Sequence, residues 1–242
     1  MSRLPVVALS ALALAGCASG PYANPADPLE PLNREIYAFN EAVDTHVARP
    51  VAQTYDKVVP RPVKAGVSHF FGNLGDLWSS FNALLQGQPE HAGADFMRFA
   101  VNSTFGLYGV FDAASALNIP RSRHSLGQTL GKWGMPSGAY IVLPLMGPST
   151  VRDVGAGLLS SVIVDSNNQI NWLQWSEGSA PVAMLNLQNT STKTNVNLLE
   201  LVDRRASLLE VSDALGGLAL DPYSFVRDAY LQRQANKIGQ NQ

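Results

Sequence analysis

One cysteine stands in the 242 residues, and its position constrains the fold more than any other residue does. No disulfide can form within one copy, so this chain has no covalent staple. Cys17 closes an N-terminal run in which Arg3 supplies a positive charge. An apolar stretch from Leu4 to Leu14 follows, broken by Pro5 and Ser10, and Ala15 and Gly16 lead into the cysteine. The stretch is too short for a transmembrane helix. Residues 1–16 read as a secretory signal peptide.

Small residues directly before a lone cysteine form a lipobox. The pattern resembles the bacterial lipoprotein signal, in which the cysteine is lipidated and becomes the first mature residue. The competing interpretation is an ordinary signal peptide with a chance cysteine. Each buried methylene of an acyl chain contributes about 0.8 kcal/mol, so a multiply acylated Cys17 is a durable anchor. Residues 17–26 are small and polar, with Pro21 and Pro25, and read as a lipidated tether. Ala18 stands where an aspartate would signal retention at the inner membrane. By resemblance to Gram-negative lipoprotein sorting, this points to the outer membrane and a lipid anchor in its periplasmic leaflet.

Charge is scarce. Only 15% of residues are charged and 46% are apolar, where about 25% charged is usual for a soluble domain. The 17 basic and 19 acidic side chains nearly cancel, so no basic excess attracts nucleic acid. Either the core is large or apolar surface faces lipid. No mature segment reaches the roughly 18 uninterrupted apolar residues of a membrane span. The repeated alternation of an outer-membrane barrel is missing too.

The spacing predicts one mostly helical domain over residues 27–235, with a polar tail at 236–242 and at most a small hairpin. Asp27-Pro28-Leu29-Glu30 has the look of a capped helix start. Leu32, Ile36, Phe39 and Val43 then make an apolar stripe on a helix reaching about Val47. A short helix follows Pro50. Residues 62–87 are helical in pattern, with Asn73-Leu74-Gly75-Asp76 as a turn and restart. Leu77, Phe81, Leu84 and Leu85 share a face. A helix over 91–105 points Phe96, Phe99 and Ala100 inward, and Gly106, Gly109 and Asp112 break it. Residues 118–148 are rich in glycine and proline, and Tyr140-Ile141-Val142-Leu143 is the best strand. Further helices are expected from Ser149 to about Val162 and from Thr192 to Ser212, the latter carrying Leu198, Leu201, Val202, Leu208 and Leu209. The segment around Trp172 and Trp175 has a helical look, and Gly216-Gly217 is a stop. Asp221-Pro222 starts a last helix with Tyr223, Val226 and Tyr230 on one face.

Several of these segments resemble the MlaA (VacJ) family of outer-membrane phospholipid-transport lipoproteins. They are Asp27 through Arg34, Arg98 through Gly106 with Gly109, Phe111 and Asp112, Gly127 through Gly131, Gly138 through Pro144, Ser149 through Asp153, and Asp221-Pro222-Tyr223 with Arg227, Tyr230 and Arg233. The resemblance covers nearly the whole chain and is weakest over 158–195. It implies a ring-shaped helical protein seated in the inner leaflet beside a trimeric porin. An amphipathic channel through the ring would take phospholipids that have strayed into the outer leaflet. A soluble periplasmic carrier would return them, so that lipid asymmetry is maintained. No cofactor is implied. One polar and one apolar wall would lower the cost of moving a charged head group through hydrocarbon.

By this resemblance, the segment Gly131–Gly147 forms a hairpin and loop beside the channel mouth. Gly131, Gly134 and Gly138 would supply freedom there, with Tyr140, Leu143 and Pro144 as hairpin residues. Phe70 and Phe71 fall where the family places a membrane helix. Trp78 and Trp133, like Trp172 and Trp175, suit a lipid–water boundary. For each of these aromatics ordinary core packing is the alternative, and for the glycine-rich segment a connecting loop with ordinary turn glycines. Arg98, Arg152 and Asp153 are either channel-mouth or buried-pair residues, or exposed salt bridges. Arg227 and Arg233 are expected on the outer face of the last helix. His46, His69, His91 and His124 lack metal-ligand spacing. No catalytic motif is legible: Ser125 and His124 form no nucleophile pattern, no Gly-x-Ser-x-Gly occurs, and Gly155-Ala156-Gly157 is only a dinucleotide-motif fragment. Two other functions compete with lipid transport. One is a structural lipoprotein that scaffolds porins, and the other a lipid hydrolase, which the missing nucleophile disfavours.

Overall fold

The computed structural model describes residues 24, 27–164, 190–215 and 220–239. Cys17, most of the tether, Trp172, Trp175 and Gly216-Gly217 lie outside these residues. The fold is mostly helical, as the spacing predicts.

Helix α1 (Glu30–Val43) carries Pro31 and Glu30 in its first turn, where a missing N–H and a negative charge are both tolerated. Asp27 is not its cap. Its carboxylate accepts from Asn33 Nδ2 at 2.8 Å and from the Tyr223 hydroxyl, and is buried by both. The chain does not break after α1. It widens into a π turn over Asp44–Ala48 and continues as α2 (Arg49–Val58). Pro50 explains the widening: it has no N–H for the preceding turn and crowds it. The Arg49 amide reaches Asp44 O instead. Val59 is extended before Pro60, as residues preceding proline prefer.

Helix α3 (Arg61–Leu85) runs unbroken through Asn73–Asp76, contrary to the expected turn. The polar side chains there serve tertiary contacts rather than ending the helix. Gly87 closes α3 at φ +71, with Gln88 N donating to Ala83 O at 2.9 Å. This is a left-handed helix stop that side-chain-bearing residues disfavour. Helix α4 (Pro89–Thr104) folds back on α3, and the two make the most extensive helix pair. A short α5 (Ala113–Ala116) is capped by Asp112, and α6 (Leu126–Lys132) opens with a Ser125/Gln128 capping box. Strands β1 (Tyr140–Leu143) and β2 (Gly147–Thr150) pair antiparallel, with Tyr140 opposite Thr150 and Leu143 opposite Gly147. Helix α7 (Val151–Val164) packs on α6. Helix α8 (Thr190–Ser207) packs on α2 and breaks before α9 (Leu209–Leu215). The last helix, α10 (Pro222–Gly239), lies against α6 and β2.

On four helices part of the expected inner stripe faces out, while Ile36, Leu209, Tyr223 and Tyr230 lie inward as expected. Leu32 and Phe39 of α1 are exposed, while Asn33 is buried. On α3, Phe81 and Leu84 face out and Asn73, Asp76, Ser79 and Asn82 face in. On α4, Phe96 is exposed rather than inward, Phe99 and Ala100 are only half-buried, and Asp95, Arg98 and Asn102 are buried. On α8, Leu198 and Leu201 are exposed, and Asn197, Glu200 and Asp203 are buried. A stripe of leucines defines two faces of a helix but not which one meets solvent. Among the described residues the apolar core is correspondingly small. Phe71 and Leu74 form one cluster with Val67, Phe70 and Val196 around it. Tyr140, Val142, Tyr223 and Tyr230 form another, flanked by Ile36, Tyr37 and Leu231.

Candidate functional site

Burying polar groups is costly unless each finds a partner, and most of these do. Between α3 and α4, Arg98 Nε donates to Asp76 at 3.3 Å, Nη1 to Ile119 O at 2.5 Å, and Nη2 to Asp112 at 2.9 and 3.0 Å. Arg121 approaches Asp76 from another side, Nη2 donating at 2.8 Å. Burial pushes the Asp76 carboxyl up despite both guanidinium groups. For Asp112, burial also pushes upward but is outweighed by Ser115, Asn102 and Arg98, leaving its pKa at about 2. Next along the seam, Ser79 Oγ donates to Asp95 at 2.5 Å and accepts from His124 N at 2.6 Å. Burial pushes the His124 imidazole down, with Asp95 opposing. Thr129 Oγ1 donates to Asn82 Oδ1 at 3.1 Å and accepts from Gln86 Nε2 at 2.9 Å. Arg98 is thus a buried-pair residue.

The hairpin is held by a second polar device. Asn33 Nδ2 donates to Tyr140 O at 3.0 Å, and Val142 N donates to Asn33 Oδ1 at 2.9 Å. About two helical turns on, Asn40 Nδ2 donates to Leu143 O at 2.9 Å and Leu145 N to Asn40 Oδ1 at 2.7 Å. Two amide side chains of α1 thereby satisfy the free edge of β1 as a third strand would. Behind them Arg227 lies 3.5 Å from Asp27 and is buried, not on the outer face. Its neighbour Arg233 is exposed, as expected. Arg152 and Asp153 are buried together, and Tyr230 donates to Asp153 Oδ2 at 2.7 Å.

The hairpin candidates separate by environment. Tyr140 is core: its ring packs on Tyr223 and Tyr230, and burial raises its phenol. Leu143 is half-buried and Pro144 exposed. Gly134 and Gly138 are exposed at φ +93 and +69, in conformations suited to glycine. Gly131 is not a hinge. It lies inside α6, where an added Cβ would meet Ile238 at 2.7 Å and Arg152 at 2.8 Å. Around this loop Trp133, Met135 and Leu145 stand exposed, the Trp133 indole donating to Leu85 O at 3.0 Å. Of the remaining aromatics, Phe71 is core rather than surface. Phe70 is half-buried against it, and Trp78 is half-buried and stacked on exposed Phe81.

An open apolar cleft of about 420 Å³ lies between α2 and α8, lined by Pro50, Val51, Thr54, Tyr55 and Val202. Its polar atoms are tied back. Thr54 Oγ1 donates to Pro50 O at 2.8 Å, and the Tyr55 hydroxyl to Asp203 at 2.9 Å. What remains is hydrocarbon. Nothing in the spacing marked this cleft, because α2 and α8 are far apart in sequence. Among the described residues, no group of histidines and acids could hold a metal, and no helix is long and apolar enough to cross a membrane.

The described residues form a helical protein whose buried polar groups are largely bonded inward and whose exposed large apolar side chains mark a membrane- or protein-contacting surface. The chain belongs to the MlaA lipoprotein family, whose model matches residues 25–237. It is 35% identical over 237 residues to the intermembrane phospholipid transport system lipoprotein MlaA of Escherichia coli K12, covering 96% of this chain and 86% of that one. The Haemophilus influenzae protein of the same name is 34% identical, with 95% and 88% covered. A solved structure from work on the structural basis for maintenance of bacterial outer membrane lipid asymmetry superimposes with a TM-score of 0.71. It is 32% identical, and the match covers 88% of this chain and 98% of that one.

Proposed function

We propose that this chain is a non-enzymatic lipoprotein that removes phospholipids from the outer leaflet of the outer membrane and passes them to a soluble periplasmic carrier. Lipid at Cys17 ties it to the periplasmic leaflet, and a trimeric porin is its membrane partner. Phospholipid moves through an amphipathic passage in a helical ring, gated by the loop and hairpin that follow α6 and reach Gly147, with Gly134 and Gly138 as the hinges. The observation that carries this is the apolar exterior. Leu32, Phe39, Phe81, Leu84, Phe96, Leu198 and Leu201 are exposed while Asn33, Asp76, Asp95, Arg98 and Asp203 on the same helices are buried and hydrogen-bonded inward. Such a surface is unfavourable in water and suits hydrocarbon, where backbone groups must be satisfied internally. The relatives' shared name supports phospholipid as the cargo. The hydrocarbon cleft between α2 and α8 has the character an acyl chain requires.

The test is reconstitution with a trimeric porin in a bilayer of asymmetric composition. Outer-leaflet phospholipid should decline without release of fatty acid. Retained phospholipid would instead favour a porin scaffold, and free fatty acid a hydrolase. Replacing exposed Gly134 and Gly138 with proline should stop transfer while circular dichroism remains helical. Unchanged transfer in that folded variant removes the gating role.

A further inference from the structure

The loop between α4 and α5 displays a run of large apolar side chains to the surface. Phe105, Leu107, Tyr108 and Phe111 are 78%, 63%, 82% and 59% exposed. No charged residue occurs from Phe99 to Phe111. The outward display is imposed by the backbone. Leu107, Tyr108 and Gly109 are consecutive left-handed residues at φ +49, +59 and +91. Two of them bear side chains, for which this region is unfavourable.

The loop is held in that shape from beneath. Gly109 sits so close to Asn73 that an added Cβ would lie 2.6 Å from its Nδ2, and Gly66 leaves room for Val110. His69 Nδ1 lies 3.2 Å from Val110 O. The Arg98–Asp112–Asn102 network anchors the base. Five of the seven loop amides turn inward as well. Phe105 N donates to Val101 O, Tyr108 N to Ser103 O, Gly109 N to Asn102 O, Val110 N to Leu107 O and Phe111 N to Gly106 O, at 2.8–3.3 Å.

We infer that residues 105–111 are a preformed wedge that inserts into the acyl-chain layer of a phospholipid leaflet. Bonding most of its amides internally lowers the cost of taking this loop from water into hydrocarbon, where unpaired backbone groups are expensive. A protein partner is less well matched, because interfaces carry hydrogen-bonding groups around an apolar centre. Here the Tyr108 hydroxyl is the one side-chain polar group among the seven residues. Tyrosine suits the level where chains meet head groups.

The inference rests on the membrane-seated function proposed above and is tested separately from it. Leu107→Cys and, in a second protein, Phe105→Cys are spin-labelled in the full chain reconstituted into phosphatidylethanolamine–phosphatidylglycerol vesicles. Wild-type protein carried through the same labelling reports any free Cys17 thiol. The ratio of collisions with oxygen to collisions with a water-soluble nickel chelate should rise several-fold over that of the same label on urea-unfolded, vesicle-free protein. A label open to the nickel chelate at both positions overturns the inference. So does a label shielded from both reagents, which would mark a protein cover. Phospholipid transfer by the same labelled proteins keeps the two ideas apart. Transfer with a water-exposed label removes the wedge and leaves transport standing, and a hydrocarbon-buried label without transfer does the reverse.

Discussion

Replacing Arg98 with methionine removes one cation and keeps most of its volume. The side chain is 3% exposed and its Nη2 is shared by Asp112 and Ser115, while Nε reaches Asp76. Breaking a buried pair from one side costs about 3–5 kcal/mol, because the remaining charge is left without compensation. Asp76 keeps Arg121, and Asp112 keeps Ser115 and Asn102, so the low end applies, about 3 kcal/mol. For a chain of this size that is a fall in Tm on the order of 6–12 °C. Helical ellipticity followed through heating in detergent measures it. The sign of the pH dependence is a second readout. In the variant the two carboxylates are buried with less positive charge nearby, so their folded-state pKa values lie higher than in the parent. Carboxyls with raised pKa values lose stability as pH rises through those values. The deficit should therefore shrink on acidification, as the two carboxyls take up protons in the variant before they do in the parent. A loss under about 1 kcal/mol, the range of an exposed pair, would refute the reasoning. So would a deficit that stays constant with pH.

Other outcomes follow from single contacts. Asp112, lowered from 3.8 to about 2, contributes stability that is present above 3.8 and lost as pH falls toward 2. Asp112→Asn should flatten that part of an acid-unfolding curve. Tyr230→Phe deletes the hydroxyl donating to buried Asp153 and should destabilise by about 1–3 kcal/mol in the same melt. Asn33→Leu frees the edge of β1, so hydrogen exchange at the Val142 amide should accelerate while the α3 amides stay protected. Gly109→Ala places a methyl against Asn73 at φ +91. It should lower the yield of folded protein, whereas Gly93→Ala, with open space at the added methyl, should not.

The order of helices, the hairpin at Tyr140–Leu143 and the final helix after Asp221-Pro222 were legible in the sequence. Proline, capping residues and apolar spacing act over a few residues and leave local marks. The same local logic erred where long-range contacts took over. Asn73 and Asp76 look like helix breakers but sit inside α3, because Ser103, Arg98 and Arg121 use their side chains. Pro50 looks like a boundary but is absorbed by a π turn.

The sequence by itself determined that the chain is helical, poor in charge, without disulfides and marked by a lipobox cysteine. These properties follow from residue type and short spacing. Only the tertiary structure decided which face of each helix is inside. Phe96 and Arg98 are two residues apart on α4, and periodicity alone turned Phe96 inward. In the fold Arg98 is inside, because Asp76 from α3 and Asp112 from the following loop converge on it. A helical stripe has a period but no sign. The sign comes from partners distant in sequence and from the medium that the other face meets.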